Sequence, residues 1–260
     1  MEKTKNVLLI LVDGMRPDGL QQAETPTIDM LAASGRSTLS ARTVRPSVSL
    51  PCITSLFLGV PPERHGITTN LWMPPARPVP GLVDIIHQAG GQTASFYNWE
   101  ELRDVSRPGS LDAAFFLRDC STPQSDTQLT DLAIKWLGDN PFRFAFVYLG
   151  YTDIAGHDHG WMSEPYIGAI SNADCCVAQL LDILHEDSLV VVTADHGGHG
   201  RTHGTDSPED MLIPLILRGS GFPAGSSFPG PVSILDIAPT ICNWLGIDPP
   251  REWAGKDLSK

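Results

Sequence analysis

Residues 6–14 read NVLLILVDG: six consecutive apolar residues, Val7 to Val12, then Asp13 and Gly14. So short a run, apolar at every position, leaves no polar face for water and reads as a buried strand of an α/β sheet. The pattern returns in FRFAFVYLG (142–150), which leads into TDIAGHDHG, and in SLVVVT (188–193), which leads into ADHGG. Each run is followed closely by a carboxylate: Asp13, Asp153 and Asp195. In open α/β sheets ligands bind beyond the carboxyl ends of the strands, so these three segments are expected to converge on one site. Taken singly, each Asp also suits a turn or a helix cap.

Helical patterns alternate with the apolar runs, which predicts crossover helices. Thr25 as N-cap, Pro26 at the first helical position and Gly35 past the last turn bracket the helix TPTIDMLAASG. GLVDIIHQAG (81–90), TQLTDLAIKWLGD (127–139), the stripe Ile167, Ile170, Val177, Leu180, Leu181 and Leu184, and SILDIAPTICNWLG (233–246) give further helices. QTASFYNW, DAAFFLRD and LIPLILRG (212–219) read as additional strands, and the Pro-rich WMPPARPVPG (72–81) as a loop that can rim the site. The expected architecture is a single α/β domain over residues 1–260, its central sheet largely parallel with helices on both faces.

The bulk numbers limit the function. A chain of 260 residues, 42% hydrophobic, buries a full core. It contains no run of about 18 apolar residues to cross a membrane. Its start, MEKTKNVLLILVDG, offers six apolar positions before Asp13, short of the roughly 7 or more that a secretory leader needs. Five scattered cysteines, Cys52, Cys120, Cys175, Cys176 and Cys242, form no disulfide framework, so a cytoplasmic location is expected. A net charge of −12 argues against a surface that coats nucleic acid. An anionic small substrate then needs local positive charge, which bound divalent ions supply.

Histidine placement points the same way. Five of the eight, at 157, 159, 196, 199 and 203, fall in the segments after the second and third apolar runs. Neutral imidazole and carboxylate are the ligands that suit zinc and similar ions. Asp153 and His157 are four apart, within reach of one ion from a loop or a helical turn. Asp195 and His196 are adjacent and need a sharp bend, which Gly197 and Gly198 permit. His87 and His185 read as structural.

The set VLLILVDGMRPD, RPSVSLPCITSLFLGVPPERHGITTN, TDIAGHDHG and TADHGGHGRTHG resembles the alkaline phosphatase superfamily, in particular its type I phosphodiesterase/nucleotide pyrophosphatase branch. The resemblance implies two zinc ions at the carboxyl edge of the sheet. It assigns Asp153, His157 and His203 to one, and Asp13, Asp195, His196 and the Ser49 oxygen to the other, with His199 or His159 as partners that orient a ligand. The oxygen-rich Asp13 and Asp195 set also suits manganese. Ser49 stands at the nucleophile position, ahead of the helical CITSLFLG, where the Leu50 N–H would face a phosphoryl oxygen. Ser49 or Ser47 is equally suited to cap that helix. Asn70 matches the family's phosphate-binding amide, and a turn Asn is its plain alternative.

The implied chemistry is in-line displacement through a phosphoseryl intermediate on a small phosphate ester, a phosphodiester or nucleotide pyrophosphate first and a phosphomonoester second. A non-catalytic binding protein on the same fold is the rival from another class. Two departures matter. Sulfatases of the superfamily need C/S-x-P-x-R, and Ile53 stands at the arginine position; phosphoglycerate mutase relatives carry a large inserted domain, for which 260 residues leave little room. Trp72, Tyr97, Trp99, Trp161 and Arg16 are candidates to contact the leaving group.

Overall fold

In the computed structural model, which describes residues 5–259, the run at 6–13 forms strand β1 (Val7–Val12) with every side chain buried. Burying each such aliphatic side chain is worth roughly 1.5–3 kcal/mol, which is why the run takes the centre of the sheet. Its neighbours are β5 (Phe144–Leu149) and β6 (Leu189–Thr193), both parallel to it, with Leu9 opposite Phe146 on one side and Val191 on the other. Completing the sheet are β2 (Arg36–Arg42), β3 (Thr93–Tyr97), β4 (Ala113–Phe116) and β7 (Leu212–Arg218), in the order β2-β7-β6-β1-β5-β3-β4. Only β7 runs against its neighbours, antiparallel to both β6 and β2. The expected largely parallel sheet is therefore present. β2 was absent from the sequence reading because it is an edge strand in which Ala41 alone is buried, so RSTLSAR shows no apolar periodicity.

The helices are α1 (Pro17–Gln22), α2 (Pro26–Ser34), α3 (Ser49–Leu58), α4 (Pro62–His65), α5 (Leu82–Gln88), α6 (Pro123–Asp139), α7 (Tyr151–His159), α8 (Glu164–Leu181), α9 (Pro208–Met211) and α10 (Ile237–Leu245). On one face α8 packs against α1, α2, α6 and α7; on the other, α3 packs against α4, α5 and α10. Among the described residues no helix is long and apolar enough to cross a membrane. Residues 1–4, where the reading of a leader began, lie outside the described residues.

The start of α2 departs from expectation in one respect. Pro26 takes the first helical position, yet the Thr25 side chain makes no cap bond. The buried carboxylate of Asp174, from α8, accepts from Thr27 N at 3.2 Å and Ile28 N at 2.7 Å instead. A charged acceptor held by another helix outcompetes a local hydroxyl for those N–H groups.

Candidate active site

Since β6, β1 and β5 are adjacent, the residues that follow them meet. Asp13 directly follows β1, Asp195 follows β6, and Asp153 sits in the first turn of α7, just past β5. All three are buried. Gly14 makes the convergence possible: its φ of +66° suits glycine, and a Cβ there would lie 3.1 Å from Asp153 Oδ1. Its N–H donates to Asp195 Oδ1 at 3.1 Å, and that oxygen also accepts from His196 N at 2.9 Å. Asp13 Oδ2 accepts from the Tyr148 hydroxyl.

One oxygen of each carboxylate is left over. Asp13 Oδ1, Asp153 Oδ1 and Asp195 Oδ2 are buried without a hydrogen-bond partner. Unpaired buried carboxylate oxygens are costly, and a cation is the group that would satisfy all three. Burial, reinforced by the charges of Asp195 and Asp153, holds Asp13 well above the usual carboxylate range. Burial raises Asp153 as well, against the imidazoles of His196 and His157.

Three imidazoles face these oxygens in a single tautomer. His196 Nδ1 is 2.7 Å from Gly197 O, His157 Nδ1 is 3.0 Å from Arg201 O, and His203 Nδ1 is 2.9 Å from Ser47 O. A carbonyl only accepts, so each Nδ1 carries a proton, and in the neutral ring it is Nε2 that presents the lone pair. His196 Nε2 lies 3.4 Å from both Asp13 Oδ1 and Asp195 Oδ2. His157 Nε2 is 3.4 Å from Asp153 Oδ2, and His203 Nε2 is 3.8 Å from Asp153 Oδ1. Burial, with His196 next to it, pushes the His203 imidazole down to about 4, which keeps it neutral, the form that can bind a metal. Backbone carbonyls that fix the tautomer and aim the ring are the usual second layer of a metal site.

Two compact groups result: Asp13, Asp195 and His196, and Asp153, His196 and His203, each with its ligand atoms within 4.8 Å of one another. The sets implied by the resemblance are thus brought together, with one difference. His196 is common to both groups, and its ring stacks on His203 with centroids 3.9 Å apart, while His157 joins through the second oxygen of Asp153.

Ser49 is the first residue of α3 and is buried. Neither serine caps the helix: Ser47 Oγ donates to Thr205 O at 2.6 Å, and Ser49 Oγ lies 3.0 Å from His196 Nε2. The Leu50 N–H is taken by Asn70 Oδ1 at 3.0 Å, which corrects the expectation that it faces a phosphoryl oxygen. The same bond brings the exposed Asn70 beside Ser49 and leaves its NH₂ end as the donor.

The other candidates sort differently. His199 binds the buried Asp210 at 2.7 Å, and the far oxygen of Asp210 accepts from Thr205 N and Oγ1, so this pair anchors the loop that carries His203. His159 is exposed at the end of α7 and touches no ligand. Gly198 serves close approach: a Cβ there would lie 2.2 Å from the Trp161 ring. Trp161 itself is buried, donates to Gly14 O at 3.0 Å and supports the rings of His157 and His203 from beneath. Tyr97 is buried, Trp99 stacks on Tyr148, and Trp72 lies half-buried in the irregular loop that precedes α5. Arg16 is tied to Asp18 by two bonds and to Gly198 O at 2.8 Å. Sequence reasoning missed Tyr148; its only signal was a hydroxyl at the penultimate position of an otherwise apolar strand.

Residues 5–247 match the family model described as Sulfatase. The chain belongs to the sulfatase family. That places it in the alkaline phosphatase superfamily, a class of hydrolases and mutases whose members use divalent metals. A 2,3-bisphosphoglycerate-independent phosphoglycerate mutase from Clostridioides difficile (strain 630) is 30% identical over 147 residues, 54% of this chain and 28% of that protein. A phosphopentomutase from Acetivibrio thermocellus is 32% identical over 108 residues, 42% of this chain and 25% of that protein. The matched stretch therefore spans about a quarter of the length of these curated relatives. Murine ectonucleotide pyrophosphatase/phosphodiesterase 5, solved as an inactive variant with AMP, superposes with a TM-score of 0.80 at 16% identity, covering 96% of this chain and 97% of that one. At that identity the likeness is one of fold.

Proposed function

We propose that the chain is a metal-dependent phosphohydrolase that cleaves phosphodiester or nucleotide pyrophosphate bonds through a phosphoseryl intermediate. The observation that carries the reading is the placement of Ser49 Oγ: buried, at the first position of α3, 3.0 Å from His196 Nε2 and beside two groups with orphaned carboxylate oxygens. Divalent ions held by Asp153, His157 and His203, and by Asp13, Asp195, His196 and the Ser49 oxygen, would lower the pKa of the hydroxyl and neutralise phosphoryl charge. Imidazole and carboxylate together favour zinc, with manganese as the substitute.

The chain's own groups then act in sequence. Ser49 Oγ attacks phosphorus as the ester P–O bond opposite it breaks; phosphoserine forms, and the departing ester oxygen leaves as the alcohol with the proton that Ser49 gives up. The helix N-terminus behind Ser49 favours the anion, and the Asn70 NH₂ is placed to donate to a phosphoryl oxygen. Water then cleaves phosphoserine and restores Ser49, two inversions that give net retention at phosphorus.

Diester preference follows from charge. A monoester dianion calls for an added cation, and two candidates have other partners: Arg16 with Asp18 and Gly198 O, Arg45 with Asp206 at 3.0 Å. Ile53, fully buried in α3, stands at the arginine position of the sulfatase signature and argues against sulfate ester cleavage. We place the activity in the cytoplasm, on the grounds that all five cysteines are free, and assign it to one catalytic domain acting on small phosphate esters. Turnover of bis-p-nitrophenyl phosphate, p-nitrophenyl phosphate and p-nitrophenyl sulfate at matched metal loading tests this. The expected order in kcat/KM is diester, monoester, sulfate, and a clear monoester preference would move the chain to the phosphatase branch.

A further inference from the structure

Asp126 lies in the first turn of α6, is fully buried and belongs to neither ligand group. Its Oδ1 accepts from Asn98 Nδ2 at 2.7 Å and Gly150 N at 3.1 Å, and its Oδ2 from Tyr151 N at 3.4 Å. Gly150 is the N-cap of α7 and Tyr151 its first residue, and a glycine cap has no side chain to satisfy the helix's open N–H groups. Asp126 supplies the missing acceptor from another helix. Through Asn98, the residue after β3, it also ties the start of α7 to the sheet edge. Burial pushes the Asp126 carboxyl up to about 7, against the bonds from Asn98, Tyr151 N and Gly150 N; ionised above that pH, it fixes the height and rotation of the helix more firmly than a hydroxyl cap does.

What α7 carries makes that constraint matter. Asp153 and His157 stand four apart on it, on one face, with His157 Nε2 3.4 Å from Asp153 Oδ2. A one-residue slip or a small rotation at Gly150 would carry both away from His203. The fold also contains its own control. Asp174 is an equally buried carboxylate capping another helix, α2, through Thr27 N and Ile28 N, and α2 holds no residue of the site.

We infer that Asp126 is a positioning residue for the Asp153–His157 ligand pair: by capping α7 from α6 it sets where that pair stands, and so tunes the affinity of one of two metal sites. This rests on the metal-centre reading above.

The test is calorimetric titration of zinc into the chelator-stripped full chain. For the unaltered protein two ions are expected. Asp126→Asn keeps the shape but sets an NH₂ against Tyr151 N or, in the flipped orientation, against Gly150 N and Asn98 Nδ2; it is expected to weaken one ion by about tenfold or more while the other keeps its affinity. Asp174→Asn is expected to bind both ions as the unaltered protein does, although it lowers Tm comparably. If Asp126→Asn does not fold, Asn98→Ala, which removes one tie and keeps the carboxylate, is expected to weaken the same ion by a smaller factor. Two ions bound by Asp126→Asn at unaltered affinity, or equal weakening in Asp126→Asn and Asp174→Asn, would overturn the proposal. Absence of any zinc binding by the unaltered protein would instead overturn the metal-centre reading beneath it.

Discussion

The interior of the three central strands and the edge just beyond their carboxyl ends come from the same chain segments and are equally buried, but they are built for different ends. Inside, Val7–Val12, Phe144–Leu149 and Leu189–Thr193 face other apolar side chains, and the sheet hydrogen bonds account for their backbone. One step further, Asp13, Asp153 and Asp195 each keep an oxygen with no partner, close to one another's charge. The first arrangement lowers the free energy of the fold; the second raises it. Orphaned oxygens beside imidazole Nε2 atoms are what a cation would satisfy, which is the use of that edge that the proposed function requires.

The comparison breaks most sharply at Ser49. Ser49→Ala is expected to lower turnover of bis-p-nitrophenyl phosphate by several orders of magnitude while Tm and metal content stay close to their original values. Full activity in that variant would point to direct attack by water, with inversion at a chiral phosphorus in place of retention. The interior should respond in the opposite sense. Ile10→Ala, at the centre of β1, is expected to cost about 2–5 kcal/mol in urea unfolding and to leave the metal stoichiometry unchanged.

Acid separates the two regions a third way. His65 is buried away from the edge, with Nε2 2.9 Å from Ser55 Oγ and Nδ1 accepting from Ile67 N, and burial pushes its imidazole down to about 4. An unfolded His takes up its proton near 6.5, so between these values the unfolded chain binds more protons than the native one. Stability is then full above about pH 6.5 and falls by up to about 3 kcal/mol as pH drops toward 4. The stability difference between unaltered protein and His65→Asn, measured at each pH after chelator treatment, should show this loss, free of the opposite trend of the raised Asp13 and Asp153 carboxyls.

Two smaller effects concern the edge alone. Adding zinc at about 100 times its dissociation constant should raise the stability of stripped protein by about 2.7 kcal/mol per site, read as a shift in the urea midpoint. Asp13→Asn should leave the metal-free protein at pH 8 at least as stable, since burial and the charges of Asp195 and Asp153 disfavour an ionised carboxyl there, and should abolish zinc binding at its group. A destabilised metal-free Asp13→Asn protein would mean that the edge is held by hydrogen bonds and not strained by charge.

Much of this was legible in the residues because it is local. Apolar runs without a polar face named β1, β5 and β6; Pro26 named the start of α2; and carboxylates at strand ends named the site. β2 was not legible, because an edge strand buries too little to leave a pattern. The cap role open to Ser47 and Ser49 could not be settled either, since the competing partners, Thr205 O and His196 Nε2, lie far along the chain.

Residue order therefore settled that the β1, β5 and β6 segments are strands and that the stretches after them carry the acids and imidazoles. Packing settled everything that depends on through-space distance: that β6, β1 and β5 are neighbours, that His196 is common to both ligand groups while His199 turns away to Asp210, that Asn70 closes on Leu50 N, and that Asp126 and Asp174 cap helices other than their own. The physical reason is the range of the interactions. Burial and backbone propensity act over a few residues and leave a periodicity to read, whereas hydrogen bonds and charge pairs act between atoms about 3 Å apart whose separation along the chain carries no signature.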